Sequence, residues 1–274
     1  GVDVFFVVSG YLITRSIIFD LKHGQFSILD FYNRRARRIL PSLLVVVFFS
    51  IISGYFFMPP TSYKDLAESS VAALFFVSNF HFQAEVDYFD TIAELKPLLH
   101  TWSLAIEEQF YLVIPILVLL SKRIRTFTIF IGFVFVAALV LFLVSSEEQS
   151  KLFFFPQYRV WELAVGSLCS LIEYRHSNIL GRFKSPKIAY LGMLGVSSSL
   201  LLFNSVDWPS SLAVIPVFGT FLILFNTDKI IFLRNGLLTF FGKRSYSFYL
   251  VHFPIISFSY YIIGTSLNVF QTLL

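Results

Sequence analysis

The chain has 274 residues, 56% of them hydrophobic, 19% aromatic and only 14% charged, with a formal net charge of +4 and a mean hydropathy of +0.75. A soluble domain carries about 25% charged residues, so this composition excludes a soluble globular enzyme and a disordered chain, and the single cysteine, Cys169, excludes a disulfide-framed secreted domain. What remains is a polytopic membrane protein, helical rather than a β-barrel because its apolar runs are 16–20 residues long instead of ten-residue alternations.

In chain order the runs predict helices over 2–19, 39–58, 66–82, 102–121, 126–144, 156–175, 188–203, 211–226 and 245–263. They are separated by turn or charge signals: Pro59-Pro60, Lys122-Arg123, Glu147-Glu148, Pro186-Lys187 and Asp207-Trp208-Pro209. The chain opens on one apolar run and closes inside another, Leu267 to Leu274, so a helix or more is expected to be missing at each end. No repeat or linker interrupts it, and residues 1–274 read as one membrane domain.

Short loops rich in Lys and Arg mark the cytoplasmic side. Four such groups are present: Arg34, Arg35, Arg37 and Arg38; Lys122, Arg123 and Arg125; Arg175, Arg182, Lys184 and Lys187; Lys229, Arg234, Lys243 and Arg244. The loops between them are acidic or neutral, from Asp65 to Asp90, at Glu147-Glu148 and at Asp207. Three apolar runs lie between the first two basic groups, yet an even number must cross. The run 66–82 is short and carries Glu68, Ser69, Ser70, Ser78, Asn79 and His81. It is expected to be a re-entrant or interfacial helix on the outer side. The fold class is then an all-α transmembrane bundle with about eight crossings.

An ionisable side chain in a span is costly and raises the question of function. In His100-Thr101-Trp102-Ser103-Leu104-Ala105-Ile106-Glu107-Glu108-Gln109, the spacing puts His100, Ser103 and Glu107 on one helical face, with Glu108 pointing elsewhere. These acids either line a site or pair with buried Arg as structural glue. Arg159 and Glu162, three apart, fit a site or an interfacial ion pair. His252 and Asp3 are also polar within apolar runs, His252 reading first as a hydrogen-bonded core histidine. On the inner side, Arg34, Arg35 and Arg38 stand at the expected start of a span, where a helix N-terminus and guanidinium forks would both favour phosphate. The alternative there is an ordinary lipid anchor. No metal is expected, because His23, His81, His100, His176 and His252 are scattered without ligand spacing, and no nucleic-acid partner is expected.

These residues carry a resemblance. Gly1-Val2-Asp3-Val4-Phe5-Phe6-Val7-Val8-Ser9-Gly10-Tyr11-Leu12-Ile13 resembles the second-helix signature of the bacterial acyltransferase-3 membrane proteins. Phe31 to Pro41 is similar to their arginine motif, and Tyr88-Phe89-Asp90 with Glu94 to Tyr111 resembles the branch often fused to a periplasmic SGNH-type domain. Ser245 to His252 resembles a late helix.

The resemblance implies transfer of an acetyl or other short acyl group from acyl-CoA to a hydroxyl of a cell-surface polysaccharide, such as lipopolysaccharide O-antigen, in the bacterial inner membrane. No bound cofactor is implied; acyl-CoA is the donor substrate. Arg34, Arg35 and Arg38 would hold acyl-CoA, Glu107 and His100 would support catalysis, and Glu108, Arg159 and Glu162 would face the glycan acceptor. The family's proposed catalytic histidine lies on a first helix with no counterpart here, so this stretch alone is expected to be inactive. A transporter or flippase of lipid-linked glycans is the alternative, since it too needs intramembrane Glu, Arg and His. A non-catalytic scaffold is a third reading.

Overall fold

The computed structural model describes residues 1–86, 93–121, 123–180, 184–202, 208–227, 230 and 235–263, without the side chains of 86, 176–180 and 202. Among the sequence expectations, those on Tyr88, Phe89, Asp90, Lys122, Arg182, Asp207, Lys229, Arg234 and 264–274 lie outside the described residues.

All regular structure among the described residues is helical. The α-helices are α1 (Val2–Lys22), α2 (Ile28–Phe57), α3 (Pro60–Leu74), α4 (Ser78–Val86), α5 (Thr101–Ser121), α6 (Ile124–Val144), α7 (Gln149–Phe154), α8 (Val160–Leu180), α9 (Pro186–Leu202), α10 (Val214–Phe225) and α11 (Gly236–Ile263). Short 3-10 turns occupy Ala93–Leu95, Pro156–Tyr158 and Ser211–Ala213. After α1 the chain turns through Gly24, whose φ of +65° suits a residue without a Cβ. Pro60 opens α3 at a position where its missing N–H costs nothing.

Several boundaries differ from the sequence expectation. α2 starts at Ile28, not at residue 39, so Arg34 to Arg38 ride in its second and third turns rather than at its N-terminus. No helix N-terminus therefore favours a phosphate at that point; only the guanidinium chemistry remains. The cause is that Arg and Ala are good helix formers, so the helix continues where hydropathy stops. α11 likewise begins at Gly236, ahead of its apolar run. The run 66–82 is broken into α3 and α4 around Phe76, which adopts a φ of +55°. With 15 and 9 residues, neither piece is long enough to cross a bilayer.

Five helices among the described residues are long and apolar enough to cross: α1, α2, α5, α6 and α11. Of the other three expected crossings, α9 and α10 are shorter, with 17 and 12 residues. α8 has 21 residues but carries Glu162, Glu173 and Arg175.

The chain divides into two compact units, Gly1–Ile28 with Ile106–Thr239, and Leu29–Ala105 with Phe240–Leu274. In the first unit α1 packs along α8, α6 against α8 and α9 along α10. The α1–α8 approach is set by Gly10, which lies against the carbonyl of Leu163, and Gly166, which lies against the carbonyl of Val7. A Cβ on either would collide with backbone, the small-residue logic of helix contacts in lipid. The Ser167 hydroxyl crosses the same seam and donates to the Gly10 carbonyl at 3.2 Å. α6 buries Phe127, Ile131, Ala138 and Phe142 and exposes Ile129, Phe133, Val136 and Val140, so both faces are apolar, as a helix between core and lipid requires. Phe142 stacks on fully buried Trp161 of α8 at 5.6 Å.

The second unit is built from α2, α3, α4, the start of α5 and most of α11. Two tyrosines of α11 tie it together. Tyr246 donates to the Ile39 carbonyl of α2 at 3.1 Å, and Tyr261 donates to the Leu95 carbonyl at 3.1 Å.

Candidate active site

The unit boundary falls inside α5 after Ala105, so His100 and Ser103 belong to the second unit and Glu107 to the first. Each unit holds a buried polar group built from residues that hydropathy alone would place in lipid or core.

In the first unit, Pro156 starts the 3-10 turn that delivers Arg159 to the N-terminus of α8. Arg159 and Glu162 are 0% exposed and Asp3 is 3% exposed. The Arg159 guanidinium pairs with Asp3 Oδ1 at 2.8 Å through Nη2 and with Glu162 Oε1 at 3.1 Å through Nη1. It also lies over the Phe6 ring at 5.8 Å. Asp3 Oδ1 accepts a second hydrogen bond, from the Trp208 indole at 3.3 Å. Glu162 stands in the first turn of α8, where the helix dipole favours an anion. One cation thus serves two buried carboxylates, which is a strong reason for all three to be held together. The spacing of Arg159 and Glu162 makes their pairing legible in the sequence, whereas Asp3 stands there only as a polar residue in an apolar run, since nothing in the spacing links residues 156 apart.

Glu107 is 7% exposed on α5 and accepts a hydrogen bond from Tyr111, one turn on, whose hydroxyl also lies 3.5 Å from the Ser9 carbonyl of α1. Glu108 is half-buried. Beside it on α5, Gln109 borders a separate apolar groove of about 260 Å³ with Phe110, Ile131, Gln157 and Val160.

In the second unit, His100 is 5% exposed, one residue ahead of α5. Its ring stacks on Phe253 at 5.5 Å and meets Tyr249 and His252 edge-on at 5.3 and 5.6 Å. The Tyr249 hydroxyl donates to the His100 carbonyl at 2.6 Å and is 2.6 Å from the Ser103 hydroxyl. His252 Nδ1 is 2.6 Å from the Tyr249 carbonyl, an acceptor, so that nitrogen carries a proton. Burial, and then the neighbouring His252, push the His100 imidazole down to about 3, so that ring is neutral near pH 7. Tyr249 and His252 join His100 because α11 packs against the start of α5. In the sequence His252 reads first as a core histidine, and Tyr249 is one of 13 tyrosines.

A third polar group, not foreseen, lines a small cavity of the same unit with Ser62, Asp65 and Ser69. There the Glu85 carboxylate pairs with Lys96 at 2.6 Å and His81 at 3.1 Å. Burial pushes the Glu85 carboxyl up, but contacts with His81 and Lys96 outweigh it and hold it below the usual carboxylate range.

The arginines Arg34 and Arg38 are exposed on α2, four apart on one face, and Arg35 is half-buried. Both exposed groups can present guanidinium forks to a common anion.

Compared with known proteins, residues 1–274 match a family described as an acyltransferase domain, Acyl_transf_3. The chain is 31% identical to "O-acetyltransferase OatA" of Staphylococcus aureus (strain NCTC 8325 / PS 47), over 96% of this chain and 47% of that protein. It is also 31% identical to a putative O-acetyltransferase of Staphylococcus aureus (strain COL), over 96% and 47%. An uncharacterized protein of Haemophilus influenzae is 31% identical over 83% of this chain and 98% of its own length. The chain thus spans about half the length of the staphylococcal relatives it matches. No solved structure matches it.

Proposed function

Because the chain belongs to the acyltransferase-3 family, we propose that the intact protein is a membrane O-acyltransferase moving an acetyl group from acyl-CoA to a hydroxyl of a cell-surface polysaccharide. The observation that carries this reading is the family match over the whole chain together with relatives named O-acetyltransferase. Lipopolysaccharide O-antigen is one acceptor of that class. In this reading α8, α9 and α10 also cross, making eight crossings of a bacterial inner membrane, and a fused or partner SGNH domain completes the assembly.

The chemistry needs a general base for the hydroxyl proton and donors for the oxyanion. His100, a neutral imidazole, and Glu107, a buried carboxylate, support that base by orienting it or by accepting hydrogen bonds from the sugar. Arg159, already anchored by Asp3 and Glu162, places a fixed positive charge on the acceptor side, and Glu108, next to Glu107 in sequence, is assigned to the same side. Arg34, Arg35 and Arg38 hold the acyl-CoA phosphates on the inner face. Bidentate pairing favours Arg over Lys there.

The test is transfer of labelled acetyl from acetyl-CoA to surface glycan in membranes carrying the intact protein. Wild type should form alkali-labile acetyl ester. Glu107→Gln should lower transfer per folded molecule more than about tenfold, the scale of one charged hydrogen bond, with acetyl-CoA binding unchanged. Arg35→Ala and Arg38→Ala should each weaken acetyl-CoA binding by about tenfold, with partial rescue by Lys. No ester from wild type would overturn the reading, and full specific activity in Glu107→Gln would remove that residue from the site.

A further inference from the structure

One polar network plays no part in the site above. Midway along α1, the Tyr11 hydroxyl donates to Glu173 Oε2 of α8 at 2.7 Å. Arg15, one turn on from Tyr11, donates through Nη1 to that same hydroxyl at 2.9 Å, and its guanidinium lies 5.8 Å from the Tyr11 ring centroid. Glu173 Oε1 pairs with Lys184 at 3.2 Å. Tyr11 is buried, so this whole arrangement is anchored in the α1–α8 seam.

The charges are unequal. Lys184 already answers the Glu173 carboxylate, and Arg15 meets only a neutral oxygen among its described contacts. A guanidinium carries five N–H donors in a planar fork; Tyr11 takes one and fixes the plane. Arg15 is exposed, and it sits on the α1 face that also exposes Leu12 and Phe19. A cation held rigidly between apolar side chains, on a helix apolar enough to cross a bilayer, suits a phosphate at the membrane boundary.

We infer that Arg15, oriented by Tyr11 and Glu173, is a phosphate-binding position of the first unit, separate from the arginines of α2. The shared chemistry is a phosphate monoester or diester, carried either by a lipid headgroup or by coenzyme A. Tyr11 acts as a positioning residue: it sets the guanidinium plane and does not touch the ligand.

The experiment uses the intact protein in lipid nanodiscs. One arm titrates coenzyme A by calorimetry in neutral phosphatidylcholine discs. The other measures phosphatidylglycerol retained by the protein in native mass spectra from mixed discs. Arg15→Gln should weaken one arm about tenfold, the loss of a charge-assisted hydrogen bond, while Arg15→Lys recovers part of it. A shift confined to the coenzyme A arm assigns the site to the soluble phosphate, and one confined to phosphatidylglycerol assigns it to the headgroup. Tyr11→Phe, which keeps the cation but releases it, should give a smaller loss in the same arm and carries the test if Arg15→Gln does not fold. Unchanged binding in both arms, with the variant folded, overturns the inference. These readouts measure binding and not transfer, so they stand or fall independently of the acyltransferase reading.

Discussion

The two buried polar groups solve the same problem in opposite ways. In the first unit Arg159 holds its guanidinium out of water between the carboxyl groups of Asp3 and Glu162. In the second, His100, Ser103, Tyr249 and His252 assemble without an ion pair, from rings and hydroxyls, and rely on stacking and hydrogen bonds. A paired charge is costly to expose and costly to break. A cluster without an ion pair is cheaper to build, yet it resists gaining a proton. The first is therefore sensitive to removal of a partner, the second to pH.

The largest expected effect breaks the ionic group. Arg159→Met leaves two buried carboxylates with no cation and should destabilise by about 3–5 kcal/mol, read as a collapse of thermal stability in detergent. Adding Asp3→Asn and Glu162→Gln to the same chain should recover most of that loss, since all the charges are then gone. A single variant as stable as wild type would show that the trio is not the charge balance described.

Next comes the response of the second group to acid. Burial, and then His252, push the native His100 imidazole down to about 3, against about 6.5 for an unfolded histidine. As pH falls below about 6.5 the unfolded chain takes up a proton that the native ring refuses. Stability should then fall with acidification, by up to about 1.4 kcal/mol per pH unit from this one group. His100→Phe should flatten the dependence between pH 6.5 and 5. An unchanged slope in that variant would assign the acid sensitivity elsewhere.

Tyr249→Phe sharpens the same comparison at smaller scale. It removes the hydroxyl shared by Ser103 and the His100 carbonyl and should cost about 1–2 kcal/mol, without altering the acid slope. A loss as large as that of Arg159→Met would mean that hydroxyl bonding, not charge pairing, dominates both groups.

The smallest effect concerns Glu85, which differs from both in being partly open to solvent. Its native carboxyl is held below the ordinary value, so the stabilisation it contributes is present above about pH 4.5 and fades as pH falls through the native value. Lys96→Met should cost about 1 kcal/mol or less at pH 7 and shift the acid transition upward. Equal loss at pH 7 and at pH 3 would show that Lys96 acts through packing instead.

Runs of 16–20 apolar residues determined an all-helical membrane chain by themselves, because only a helix satisfies its own backbone over that length in lipid. The same pattern exposed Glu107, Arg159, Glu162 and His252 as residues out of place, and long motifs carried the family resemblance. Helix ends were less legible. Hydropathy marks where lipid would stop, whereas α2 extends beyond that point through residues that are polar but favourable to helix, and α11 begins at Gly236, ahead of the run marked by the sequence. The break in 66–82 at Phe76 left no Gly or Pro signal. The pairing of Asp3 with Arg159, the close passage of Gly10 and Gly166, and the meeting of His100 with Tyr249 and His252 were decided only in three dimensions. Those contacts join residues more than 140 positions apart, and periodicity within one helix gives each side chain a face but not the partner that packs against it.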